Sequence, residues 1–169
     1  HQVKAEPFYP IIRARLTEIN GQQATQVIHE DDPGGNTVNR ELNLTWMDGL
    51  PEHNPLTVGQ APRAGEVSME VEEARKMGIK LGDTLTFTGD TQPFSAQVTS
   101  FRRVDWESLR PNFFFIFPAG ALDAQPQSML TSFRHDGDDK LVVQLNRQFP
   151  AVSVLDIGTI LRQIGQVLQ

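Results

Sequence analysis

The sequence predicts an α/β (α+β) fold, and three observations carry that expectation. Two segments near the N-terminus, 8–19 and 41–47, alternate apolar and polar residues as half-buried strands do. The middle, 67–104, reads as a short helix followed by a β-hairpin. The C-terminal part, 128–168, reads β-α-β-α. A chain of 169 residues suits one domain, or a core plus a sizeable insertion, and can bury its core without covalent staples.

In FYPIIRARLTEI (8–19), Ile12, Ala14 and Leu16 face one way and Arg13, Arg15 and Thr17 the other. Asn20-Gly21 follows at once as a turn. HEDDPGGNTVN (29–39) reads as an exposed polar loop. ELNLTWM (41–47) alternates through Leu42, Leu44 and Trp46, and the Pro- and Gly-rich stretch 48–65 reads as a long irregular connection. In 67–87, Ser68 is the expected N-cap, Glu70 and Glu72 suit the first helical turn, Val71, Ala74 and Met77 share a helical face, and Gly78 stops it. A strand through Leu85 and Phe87 and its hairpin partner, 94–104, flank a turn at Gly89-Asp90. NFFFIF (112–117) lies between Pro111 and Pro118. Its two apolar faces and its bounding prolines mark a strand covered on both sides. SMLTSFRH (128–135) alternates as a strand, whereas DDKLVVQLNRQF (138–149) places Leu141, Val142, Leu145 and Phe149 on one helical face. VSVL (152–155) reads as a strand, and Asp156 caps a last helix striped with Ile157, Ile160, Leu161, Ile164 and Leu168.

Composition narrows the function classes. Hydrophobic and charged fractions of 38% and 21% place the chain among ordinary globular folds. A net charge of −6 argues against a nucleic-acid partner, because phosphate binding needs a basic surface. The absence of cysteine excludes disulfides, thiolate zinc sites and a Cys nucleophile. No apolar run reaches the roughly 18–20 residues that span a bilayer. The chain opens on His1 rather than Met, so it is expected to be processed or cut from a longer protein.

Catalytic motifs fail to appear. The sequence holds no G-x-x-x-x-G-K-[ST] phosphate loop, no G-x-G-x-x-G after a strand, no G-x-S-x-G elbow and no H-E-x-x-H. HEDD (29–32) places an imidazole and three carboxylates together, but reads as a solvated acidic loop. RHDGDDK (134–140) lacks calcium-loop spacing, and position twelve counted from Asp136 is Arg147, where a ligating Glu would stand. The four histidines lie in polar surroundings, away from any nucleophile context. Asp105, Trp106 and Arg110 form the candidate site, since Arg can stack on Trp or pair with Asp. They are expected to act as a hinge pinning a crossover segment, or as a ligand- or partner-facing patch.

VDWESLRPNFFFIFPAGALD (104–123) resembles a signature of the FtsX-type ABC transporter permeases, in the YbbP-like branch with a MacB-like periplasmic core domain. FYPIIRARLTEING (8–21), RELNLTWM (40–47), EVSMEVEEARKMGIKLGDTLTF (66–87) and LNRQFPAVSVLDIGTILRQIGQVL (145–168) match the same pattern, so the resemblance covers nearly the whole chain. The first string is specific, while the helix-then-LGDTL hairpin is shared more widely. The resemblance implies a membrane-proximal α/β sandwich-like lobe built from both chain ends, 1–47 and 110–169, with a smaller β-rich lobe, 48–109, inserted between them. It also implies a further strand and helix before His1-Gln2-Val3, so the chain is expected to be a truncated or proteolysed piece.

The resemblance implies no enzymatic activity, no catalytic residues, no metal and no cofactor. It implies a periplasmic domain of an inner-membrane permease that pairs with a separate cytoplasmic ABC ATPase subunit. Such a domain transmits motion or engages a periplasmic partner or a hydrophobic, lipid-like substrate. Two other readings stay open. One is a stand-alone periplasmic binding module for an apolar ligand, with the Phe run lining a cleft. The other is a metal-dependent hydrolase built on His29 and its neighbouring acids.

Overall fold

The computed structural model describes residues 4–5, 9–107, 111–126, 128–134 and 140–146. The expected strand 152–155 and last helix lie outside these residues. In chain order the elements are β1 (Lys4–Ala5), β2 (Tyr9–Ile19), β3 (Gln22–Gln23), α1 (Ala24–Val27), α2 (Gly35–Val38), β4 (Leu42–Met47), β5 (Leu56–Gly59), β6 (Glu66–Glu70), α3 (Val71–Met77), β7 (Thr84–Thr88), β8 (Phe94–Arg102), β9 (Phe115–Pro118), β10 (Ser128–Arg134) and β11 (Lys140–Asn146). The chain forms two compact units, one of His1–Ile11, Trp106–Asn112 and Gln127–Gln169, the other of Ile12–Asp105 and Phe113–Pro126.

The second unit is a closed mixed barrel of six strands. β2 pairs antiparallel with β4, β4 parallel with β9, and β9 antiparallel with β6. β6 then pairs parallel with β8, and β8 antiparallel with β7, which returns antiparallel to β2. Closure removes the unpaired edges that would otherwise invite aggregation. The barrel draws strands from 12–47, 66–102 and 115–118, so it runs across the expected lobe boundaries at 47/48 and 109/110. β5 lies outside the ring, paired with β8.

Alternation along each strand fills the barrel. Ile12, Ala14 and Leu16 of β2 are buried as expected, while Arg13 and Arg15 face out. Leu44, Met69, Leu85, Phe87, Val98, Phe115 and Phe117 complete the interior, each at most 1% exposed. Phe87 is its hub. Its ring meets Phe115 and Phe117 edge-on at centroid distances of 5.1 and 5.5 Å, and stacks on Phe94 at 5.7 Å. Within β9, Phe115, Ile116 and Phe117 are all buried, as expected of a strand covered on both faces, and Pro118 is its last residue; the strand starts later than the expected 112–117 run, with Phe113 buried and Phe114 half-buried ahead of it.

Local sequence explains most of the joints. Asn20 (φ 52°) and Gly21 (φ 81°) occupy the two left-handed positions of a two-residue hairpin turn between β2 and β3. The helix in the middle starts later than the residue pattern suggests. Glu66–Glu70 is strand β6, and the N-cap is Glu70, whose carboxylate accepts from the amides of Glu72 and Glu73, both at 2.7 Å. Ser68 is a buried strand residue, because β6 is needed between β8 and β9. Gly78 (φ 71°) ends α3 as expected.

Two polar stretches carry more structure than their composition indicates. Within 48–65, Leu56–Gly59 forms edge strand β5. Within 29–39, α2 is docked, with Gly35, Thr37 and Val38 buried. A Cβ at Gly35 would stand 2.3 Å from the Glu30 carbonyl oxygen, and one at Gly34 would stand 2.6 Å from Met77 of α3. Only glycines permit that approach. The Thr37 hydroxyl donates to the Glu73 carboxylate, tying α2 to α3.

In the first unit, β10 is antiparallel to β1, to Tyr9–Ile11 of β2 and to β11. The helix expected over 138–149 is instead strand β11, registered from Lys140↔Arg134 to Asn146↔Ser128. Leu141-Val142-Val143 is a continuous apolar run with two β-branched valines, so its periodicity does not separate helix from strand; pairing with β10 decides it.

Phe87→Ala is expected to lower unfolding stability by about 3–5 kcal/mol, because the cavity opens at the meeting point of three other rings. Urea denaturation reads this directly, and a midpoint close to wild type would show that the ring cluster is not the centre of the core.

Candidate functional site

The polar centre of the barrel unit grows from a bulge in β8. Ahead of it Val98 is level with Val67 of β6, and both join the core. Beyond it Ser100 is level with Ser68, and Arg102 with Glu70. Ser68 and Glu70 alternate with the core-facing Val67 and Met69, so the bulge carries Ser100 and Arg102 onto the opposite face. All four residues are nevertheless buried, and Arg102 is 0% exposed.

Arg102 is held by its surroundings on two sides. Its Nη2 donates to the Phe113 carbonyl at 2.6 Å and its Nη1 to Asn54 Oδ1 at 3.3 Å. Its Nε finds no acceptor among the described residues. Burial pushes the guanidinium pKa down to about 9, opposed by attraction to Glu70. Above about pH 9 the unfolded chain therefore holds the proton more tightly than the folded one. The cost of burying the charge is therefore fully present below about pH 9 and eases above it. Glu70 does not form a direct pair with Arg102 to offset that cost, since its carboxylate serves the amides at the start of α3.

Together these groups fix two points on the backbone. Arg102 binds the Phe113 carbonyl, and the Glu70 amide donates to the next one, Phe114, at 2.8 Å. The Arg103 amide donates to the Pro55 carbonyl at 2.9 Å. Trp106–Asn112 belongs to the other unit, so the cluster anchors the chain just before it leaves at Asp105 and just after it returns at Phe113. Of the expected site residues, Asp105 is exposed and ends its segment of the barrel unit, Trp106 is half-exposed and opens the segment of the other unit, and Arg110 lies outside the described residues. Residue reading missed Arg102, Glu70 and Asn54. Alternation along the sequence groups Arg102 with the buried Ala96 and Val98, but the bulge places it on the opposite face, so its actual surroundings could not be read from the sequence.

Other candidate positions are plainly placed. Glu30, Asp31 and Asp32 are exposed, and the Asp32 carboxylate accepts from the His29 amide at 2.8 Å. Among the described residues no group of three or more His, Asp or Glu side chains could hold a metal ion. A groove of about 610 Å³ runs beside β2, lined by Arg15, Thr17, Glu18, Gln23, Thr25 and Asn39 among others. Of the Phe run, Phe115 packs against Phe87 and Phe117 against Phe87 and Phe94, while half-buried Phe114 lies under the Arg40 guanidinium at 5.8 Å.

Arg102→Ala is expected to cost about 3 kcal/mol or more, since it empties a buried site and strips the Phe113 carbonyl of its donor. Arg102→Met, which keeps the volume and removes the charge, should cost clearly less in the same denaturation series. Equal losses would show that hydrogen bonding outweighs volume. The hydroxyls of Ser68, Ser100 and Thr45 have no partner within the described chain. Ser100→Ala should therefore be neutral or raise stability by up to about 1 kcal/mol. A clear loss would reveal a hydrogen bond to that hydroxyl.

No protein-family model matches the chain, and no solved structure matches it. Among the described residues no helix is long and apolar enough to cross a membrane. The chain is 58% identical over 165 residues to the uncharacterized ABC transporter permease YbbP of Escherichia coli (strain K12). The match takes in 97% of this chain and 20% of that permease, so the chain spans about a fifth of its relative's length. At such identity over nearly all of its residues, the chain is homologous to a segment of an ABC transporter permease.

Proposed function

We propose that the chain is a non-catalytic periplasmic domain of an FtsX-type ABC transporter permease, of the MacB-like kind. It couples motion driven by a separate cytoplasmic ATPase subunit to the export or extraction of a hydrophobic, lipid-like compound, or to a periplasmic partner. The observation that carries this reading is the 58% identity to a named ABC transporter permease over 97% of the chain. A barrel whose interior is filled by its own rings suits a rigid body that transmits force better than a vessel for a ligand. In this reading Asp105, Trp106 and Arg110 sit on the hinge or partner-contact segment, and the Arg102 cluster keeps the barrel ends of that segment from yielding when it is pulled.

Sidedness is the most direct test. Leu81 is 42% exposed on the loop before β7, and the chain has no cysteine of its own. Leu81→Cys, introduced into the native gene product after removal of any other cysteines, should react with a membrane-impermeant maleimide once the outer membrane is permeabilised. Labelling that begins only when the inner membrane is breached would place the domain in the cytoplasm and overturn the proposal.

A further inference from the structure

The Asn20-Gly21 turn carries chemistry as well as geometry. An Asn followed by Gly is prone to deamidation, because glycine leaves its amide nitrogen unhindered. Once the Gly21 amide gives up its proton, that nitrogen can attack Asn20 Cγ. The bond from Cγ to the side-chain nitrogen then breaks, and ammonia leaves with a proton from water. The resulting succinimide takes up one water molecule and opens to aspartate or isoaspartate. No redox partner is needed.

The fold opposes that attack at both ends of the carboxamide. Asn20 Oδ1 accepts from the Thr84 amide at 2.8 Å, and Nδ2 donates to Asp83 Oδ1 at 3.1 Å. The Asn20 amide donates to the Thr84 carbonyl at 2.7 Å. Asp83 is itself set in place, with Oδ2 accepting from the Lys80 amide at 2.8 Å. Turning Cγ toward the Gly21 nitrogen breaks both side-chain bonds. Both turn residues are exposed, so water and hydroxide reach them freely.

We infer that Asn20 is a conditional modification site, held intact while the Asp83-Thr84 start of β7 is docked on the turn and converted irreversibly when it separates. The product cannot restore the latch. Its carboxylate offers no N–H to Asp83 Oδ1 and repels it, and isoaspartate adds a methylene to the backbone of a tight turn. Conversion thus loosens the seam at which Ile19 pairs with Leu85 and Glu18 with Thr86.

The test follows the loss of ammonia by mass spectrometry in mildly alkaline buffer. It compares the native 169-residue chain, its Asp83→Ala variant and a peptide spanning 15–25. The native chain is expected to deamidate at Asn20 about tenfold or more slowly than the peptide, as two side-chain hydrogen bonds must open first. Asp83→Ala should move the rate severalfold toward the peptide. Should that variant not fold, the native chain in sub-denaturing urea replaces it, with the rate expected to rise before global unfolding. A native rate within about twofold of the peptide, or a folded Asp83→Ala variant with an unchanged rate, would overturn the inference.

Discussion

β9 is the strand on which the barrel depends. It inserts between β4 and β6, parallel to one and antiparallel to the other, and so satisfies two strand edges at once. Its inward side chains, Phe115 and Phe117, meet Phe87 on the far side of the ring of strands, so one short segment supplies both hydrogen bonding and filling. Yet β9 reaches the barrel only after the chain has passed through Trp106–Asn112 of the other unit. A strand that arrives from elsewhere must be seated accurately, since a one-residue slip would turn its core rings outward.

The Arg102 cluster supplies that accuracy. A guanidinium without any exposure is costly to bury, and the depressed pKa is one expression of the cost. Its planar fork reaches a side-chain amide and a backbone carbonyl from two separate nitrogens, a geometry that the single ammonium nitrogen of a lysine does not offer. Glu70 works in parallel, capping α3 with its carboxylate and holding Phe114 with its amide. Two successive carbonyls ahead of β9 are thus gripped by two strand ends.

The excursion between β2 and β4 shows the same economy of contact. Gly34 lets its backbone lie against Met77 of α3, Gly35 lets it fold closely onto its own Glu30 carbonyl, and the hydrogen bond from Thr37 to Glu73 anchors it. An acidic, glycine-rich sequence that reads as solvated loop becomes partly buried because Gly34 leaves room for Met77 and because Thr37 and Val38 turn inward.

Much of this was legible in the residues themselves. Alternation located β2 and β4 and the β7–β8 hairpin, Asn20-Gly21 marked its turn, and Gly78 marked the end of α3. Those features depend on local sterics and on which residues face water. The permease relationship was also legible, in the VDWESLRPNFF string and its companions. Three matters were not. Whether Leu141-Val142-Val143 forms helix or strand depends on finding β10 beside it. Whether 66–70 caps a helix or forms a strand depends on two neighbours distant in sequence. And the burial of Arg102 depends on a bulge that shifts register between strands, together with an asparagine and a carbonyl brought in from other segments. Pairing partners and register are relations between distant residues, and only the tertiary structure decides them.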